Sequence, residues 1–147
     1  MINIPWRIGQ AFILLVLCSS VHGQTSTVKS MSDKITKDGV TISTTLQSCE
    51  DKINGTAKEY VLITVLNENT YAVNLSFKRN TWYNGKCVSC DSSSPENIVE
   101  LTIDPNGKVE GNCNESSGLR IFSQMLHLKK VRKLTHYELV DIQVNAL

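Results

Sequence analysis

Proline and histidine are scarce, with three of each in 147 residues, and aromatic residues make up only 6%. Two of the prolines, Pro95 and Pro105, sit among Ser, Asp, Asn and Gly, so they punctuate loops and leave the apolar stretches unbroken. No Gly-x-Ser-x-Gly, His-Glu-x-x-His or glycine-rich phosphate loop occurs, and neither His127 nor His136 lies beside a nucleophile in a recognisable setting. The carboxylates show no pairing that reads as acid and base. The chain is therefore expected not to be an enzyme. After residue 17 no stretch approaches the roughly 20 apolar residues of a spanning helix, so no transmembrane segment is expected. Charge of either sign is not in excess: 15 Lys and Arg face 14 Asp and Glu. A chain this neutral is not expected to hold nucleic acid by phosphate neutralisation.

What is present begins with an export signal. Arg7 supplies a short positive region, residues 8–17 are apolar apart from Gly9 and Gln10, and Val21-His22-Gly23 makes a small-residue cleavage site before Gln24. Leu17 is too large to precede a lipid-modified Cys18. Residues 1–23 are thus expected to be a signal peptide, and the protein to be periplasmic or secreted. The remaining length suits one domain with a real core. Four cysteines then remain, Cys49, Cys87, Cys90 and Cys113, in an oxidising compartment where disulfides are the ordinary outcome.

Residues 24–38 are polar and rich in Ser and Thr, and read as a flexible N-terminal segment. Period-two alternation starts at Val40, with Val40, Ile42, Thr44 and Leu46 on one face. Residues 60–66 are apolar on both faces, as in a central strand covered on both sides. A short turn at 67–70 then suggests a hairpin to residues 71–77, where Tyr71, Val73, Leu75 and Phe77 alternate with small or polar residues. Further strands are expected at 99–103, at 108–113 after an Asp-Pro-Asn-Gly type I turn, and at 135–144. Residues 119–128 fit a strand or a helical stripe, and the all-β surroundings favour strand. About seven strands with no convincing helix point to residues 39–147 as one antiparallel sandwich of immunoglobulin or fibronectin type.

If successive strands alternate in direction, Cys49, Cys87, Cys90 and Cys113 gather at one pole. There they can form two disulfides in any of three pairings, a four-thiolate zinc site, or one structural bond beside a reactive Cys-x-x-Cys pair. Structural crosslinking is the ordinary reading. For zinc, Cys87 and Cys90 have the right spacing while Cys49 and Cys113 are single; for redox chemistry, the helix that usually follows such a motif is missing. No cofactor is otherwise expected. Two candidate binding surfaces stand out. Trp82 and Tyr83 flank an Asn-Gly turn and either form an exposed platform or pack over the core. Lys129, Lys130, Arg132 and Lys133 form a basic run that either meets an anionic partner or is a solvated, lysine-blunted edge. The sequons at Asn54, Asn74 and Asn114 are no more than composition supplies by chance.

The segments Lys58-Glu59-Tyr60-Val61-Leu62, Trp82-Tyr83-Asn84-Gly85-Lys86-Cys87-Val88-Ser89-Cys90, Gly111-Asn112-Cys113 and Leu119-Arg120-Ile121-Phe122-Ser123 resemble those of small exported Bacteroidetes-type proteins of unassigned function. The resemblance implies a periplasmic or extracellular address and no substrate. The expected function is a non-enzymatic, disulfide-supported interaction module with a protein or glycan partner at the cell envelope or outside. The alternative is a thiol-redox or zinc-binding envelope protein using Cys87 and Cys90.

Overall fold

The computed structural model describes residues 33–114 and 118–147, so the expected signal peptide lies outside the described residues. The centre of the fold is β3 (Thr56–Asn67), in which Val61, Ile63 and Val65 are completely buried while Leu62, Thr64 and Leu66 are half-buried. The period is that of a pleated strand with one face inward. β3 is central by its two hydrogen-bonded edges, not by cover on both faces as its composition suggested.

One edge of β3 pairs along its whole length with β2 (Val40–Asp51), and β2 pairs in turn with β1 (Lys34–Lys37). The other edge is shared by β7 (Lys108–Glu110), opposite residues 64–66, and β8 (Arg120–Met125), opposite residues 58–62. The second sheet is built on β4 (Val73–Tyr83), flanked on one side by β5 (Lys86–Cys87) and β6 (Ile98–Ile103) and on the other by β9 (Leu134–Ala146). Every pairing is antiparallel, and a single turn of 3-10 helix at Pro95–Asn97 precedes β6. Among the described residues no helix is long and apolar enough to cross a membrane. The two sheets share one apolar core: Val40, Ile42, Val61, Ile63 and Val65 from the first meet Val73, Leu75, Phe77, Val99 and Ile103 from the second.

Nine strands are therefore present among the described residues, against about seven expected, and three local expectations are corrected. The added strands are β1, inside the segment read as flexible, and the two-residue β5. Each is created by a two-residue turn with both residues at positive φ, Asp38-Gly39 (48° and 73°) before β2 and Asn84-Gly85 (50° and 79°) before β5. Such turns match the twist of the strands they join. The expected hairpin between residues 60–66 and 71–77 does not form. The chain crosses from one sheet to the other there, because the fully buried Asn67 side chain takes over the backbone bonds that a hairpin would make. Its amide donates to Tyr71 O (2.9 Å) and Asp104 O (3.0 Å), and its oxygen accepts from Asn69 N (3.1 Å). The Asp104 to Gly107 turn closes as expected through Gly107 N to Asp104 O, but Asn106 sits at φ 53°, which a type I turn does not have at its third position. Residues 120–125 are strand, as their surroundings suggested.

β7 and β8 behave as one edge strand interrupted opposite Ile63. Gly111 N donates to Ile63 O (2.9 Å) and Ile63 N donates to Leu119 O (2.8 Å), while residues 112–114 and 118 take no part in the strand ladder. Only glycine permits this closure, since a Cβ on residue 111 would lie 2.0 Å from Leu119 O. This interruption is tied to β2 by the Cys49–Cys113 disulfide. In register, Cys49 stands opposite Lys58 of β3, and Cys113, which follows the far-edge strand β7, comes to 5.6 Å from Cys49 between Cα atoms.

Gly111→Ala is expected to cost roughly 1–3 kcal/mol or more, because the obstructing atom is backbone and cannot rotate away. A lowered urea midpoint with an unchanged m-value is the check. The two disulfides should contribute unequally, since Cys49 and Cys113 are 64 residues apart and Cys87 and Cys90 only 3. Chain-entropy reasoning gives about 4 kcal/mol for the first and about 2 kcal/mol for the second. Paired Cys→Ser variants at each bond should shift the midpoint in that order.

Candidate functional site

Apart from Cys49 and Cys113, the residues singled out in the sequence fall on two faces around the end of β4. The inward positions of this strand run Val73, Leu75, Phe77, Arg79, Thr81, Tyr83, so the apolar core gives way to polar side chains along a single face. Arg79 projects between the sheets, where Nη1 donates to Gly118 O (2.8 Å) and Arg120 O (3.0 Å) and Nη2 donates to Glu96 O. Burial lowers the Arg79 pKa from its ordinary value. Its partners in the structure are carbonyl dipoles, which makes it a structural tie between β4, the start of β8 and the 3-10 turn.

Tyr83 is the next fixed point. Its hydroxyl donates to Phe122 O (2.6 Å), and its ring stacks on that of Phe122 at 6.5 Å between centroids. Phe122 in turn meets Tyr60 edge-on at 5.8 Å. Two guanidiniums lie over the ends of this row, Arg132 at 4.3 Å from the Tyr83 centroid and Arg120 at 4.9 Å from that of Tyr60. The result is three half-buried rings and two cations running from β3 across the rim of the sheets. Ring faces attract cations through their quadrupole, so each pair holds its guanidinium in place. Desolvation raises the Tyr83 pKa, opposed by Arg132 and Arg79, and the phenol stays protonated as a donor.

The basic run enters the same place by hydrogen bonding. Asn84 N donates to Lys133 O (2.9 Å) and Lys133 N donates to Asn84 Oδ1 (3.1 Å). Gly85 N reaches Thr135 Oγ1 (3.0 Å), which itself donates to Trp82 O (3.1 Å). The Asn-Gly turn and the loop entering β9 therefore hold each other. Lys129, Lys130, Arg132 and Lys133 are exposed, and none is in an ion pair among the described residues.

Trp82 does not share this face. Successive residues of a strand point to opposite sides, and Trp82 stacks at 4.8 Å on His136, which it faces in register, with Cys87 on its other flank. Trp82 and Tyr83 are thus parts of two surfaces and not of one platform. The Trp82 side carries the Cys87–Cys90 disulfide, whereas Cys49 pairs with Cys113 across β3. All four sulfurs are engaged in these two bonds, so they do not present thiolates as one ligand set, and no cluster of His, Cys, Asp and Glu suited to a metal occurs among the described residues.

Tyr60, Arg79, Arg120 and Phe122 were not singled out by sequence reasoning. Arg79 could have been found, as a cation on the inward phase of a strand whose preceding inward positions are Leu75 and Phe77. The aromatic row could not, because it joins three strands whose neighbours are set by long-range pairing. No protein-family model, curated protein or solved structure matches the chain.

Tyr83→Phe should remove one hydroxyl bond, worth about 1 kcal/mol, and change the alkaline limb of stability. Below the ordinary tyrosine value of 10.0 both folded and unfolded phenols are protonated, and the full stability is present. Above it the unfolded phenol ionises first, so stability is lost as pH rises through the raised folded value. Tyr137, whose buried hydroxyl shares a 2.7 Å hydrogen bond with Thr44 and whose pKa is also raised by burial, acts in the same window. Melting temperature followed through this range should fall less steeply in Tyr83→Phe than in the parent protein.

Proposed function

We propose that this protein is an exported, non-enzymatic interaction module, an immunoglobulin- or fibronectin-like sandwich, that takes an anionic protein or glycan partner at the cell envelope or outside. The observation that carries the reading is the convergence of Tyr83 and the basic run, read separately from the sequence, on one face through the Asn84–Lys133 bonds and the Arg132–Tyr83 contact. Aromatic faces with adjoining unpaired cations suit a partner that offers flat or apolar surface beside negative charge. Two antiparallel sheets on one core, with the chain crossing between them after β3, support the sandwich assignment. Two disulfides together with the leader-like first 23 residues support an oxidising, extracytoplasmic address, as does the resemblance to exported Bacteroidetes-type proteins.

The test is salt-resolved retention on a sulfated polysaccharide matrix and on immobilised polyglutamate. The parent protein should be retained on one of them, and Lys129→Glu with Lys130→Glu should abolish retention while leaving the melting temperature within a degree or so. Lys34→Glu with Lys52→Glu makes the same charge change elsewhere and should leave retention largely intact. Equal losses in both variants, or no retention of the parent on either matrix, would overturn the reading.

A further inference from the structure

We propose that Cys87–Cys90 is a thiol–disulfide exchange site that accepts two electrons from a dithiol, while Cys49–Cys113 remains a permanent crosslink. The inference rests on how little of the local fold depends on the bond, and on a hydrogen bond aimed at one of its sulfurs.

The segment carrying both cysteines is held in place without the disulfide. Trp82 and Tyr83 pair with Cys87 and Lys86 through the Asn-Gly turn. Val88 N donates to Thr81 O (2.9 Å), and Lys78 Nζ donates to Cys90 O (2.8 Å). Between the cysteines, Ser89 is only 3% exposed, accepting from Thr81 N (2.8 Å) and donating to Arg79 O (3.1 Å). A buried hydroxyl satisfied in both senses fixes the loop in either redox state. The sulfurs can therefore open and close without a refolding step, which a bond closing a long loop cannot do. Both cysteines are half-exposed, and Val88 between them is 46% exposed, leaving an apolar foothold beside the bond.

The directing contact is Cys90 N to Cys87 Sγ, at 3.1 Å. A backbone N–H pointed at a sulfur stabilises negative charge there once the bond opens. The exchange then runs as follows. A thiolate of the dithiol attacks Cys87 Sγ, forming a mixed disulfide, and the electron pair of the broken bond leaves on Cys90 Sγ, which takes up a proton. The second thiol of the dithiol, losing its proton, attacks its own partner sulfur, and Cys87 departs as the thiolate that the Cys90 N–H receives. The dithiol, which entered as one thiolate and one thiol, ends as a disulfide, and the two electrons and one proton it gives up reside on the Cys87 thiolate and the Cys90 thiol. In reverse, reduced Cys87 is the nucleophile and Cys90 the resolving thiol.

Titration of the purified protein with dithiothreitol, and separately with a reduced dicysteine peptide, read by alkylation and mass spectrometry of each cysteine, tests this directly. Cys87 and Cys90 should become labelled at a reduced-to-oxidised ratio at least about tenfold below that which opens Cys49–Cys113, with the circular dichroism of the sheets unchanged. A peptide that reacts faster than dithiothreitol assigns the co-substrate to a protein, and the converse to a small dithiol; selective opening by either supports the site. Oxidised glutathione supplies a second readout. Cys87 in Cys90→Ser should form its mixed disulfide about tenfold faster than Cys90 in Cys87→Ser. Opening of Cys87–Cys90 only together with Cys49–Cys113, loss of sheet signal when it opens, or equal glutathione rates at the two cysteines would each overturn the proposal.

Discussion

The clamping of β3 on both edges is the constraint from which the rest of this molecule follows. A strand whose inner face is Val61, Ile63 and Val65, all fully buried, must have every N–H and C=O paired, because none of those groups on its buried side can turn to water. β2 satisfies one edge without interruption. The other edge is satisfied in two pieces, and the point of interruption is Ile63 itself, bonded to Gly111 on one side and to Leu119 on the other. The interruption therefore costs β3 no hydrogen bond. It does demand a residue with no side chain at 111, and Cys113, two residues on, is bonded to β2. Glycine and disulfide are two halves of the same solution.

The same logic places the site. At the end of β4 the inward face runs out of partners to pack against, and the chain replaces burial with directed polar contacts. Arg79 supplies donors to three carbonyls, and Tyr83 supplies one to Phe122 O. The carbonyls of Gly118, Arg120 and Phe122 lie just before, at the start and in the middle of β8, and that of Glu96 lies on the 3-10 turn before β6. Holding β8 against β4 brings Phe122 between Tyr60 and Tyr83, and the aromatic row is then a consequence of closing the sheets. Arg132 can settle on Tyr83 because Asn84 has already fixed Lys133 beside it. What reads from outside as a binding surface is, from inside, the seam where two sheets are fastened.

Much of this was legible from period-two patterning, and the limits are physical. Alternation tells which side chains share a face, and it located seven of the nine strands among the described residues, including residues 120–125, where helix and strand competed. It carries no information on which strand lies alongside which. That is why residues 60–66 and 71–77 were joined as a hairpin when a buried asparagine sends the chain to the other sheet. β1 has a single apolar residue, Ile35, and so no pattern to read; only Asp38-Gly39, a turn of the kind that demands a partner strand on each side, betrayed it. The basic run and Tyr83 were each visible, but their meeting depends on the β4–β9 register, which no local signal encodes. The Trp82-Tyr83 pair failed as a platform for a reason that was available beforehand, since neighbours on a strand face apart.

The two disulfides divide the work in a way that follows from their positions. Cys49 and Cys113 join segments far apart in the chain and tie β2 to the residues that follow β7, so the bond and the fold depend on each other. By thermodynamic linkage, a bond that stabilises the folded state is itself stabilised by folding to the same extent. Cys87 and Cys90 join residues that Ser89, the Asn-Gly turn and the pairing with Trp82 have already brought together. The fold gains less from that bond, and folding protects it less. A cystine that is geometrically favoured yet contributes less to folding retains chemistry that a structural one gives up, and here it sits on the Trp82 side of β4, the face opposite the Tyr83 seam. The strand can thus present two independent surfaces, one built of rings and cations, the other of sulfur and indole, because each successive residue changes sides.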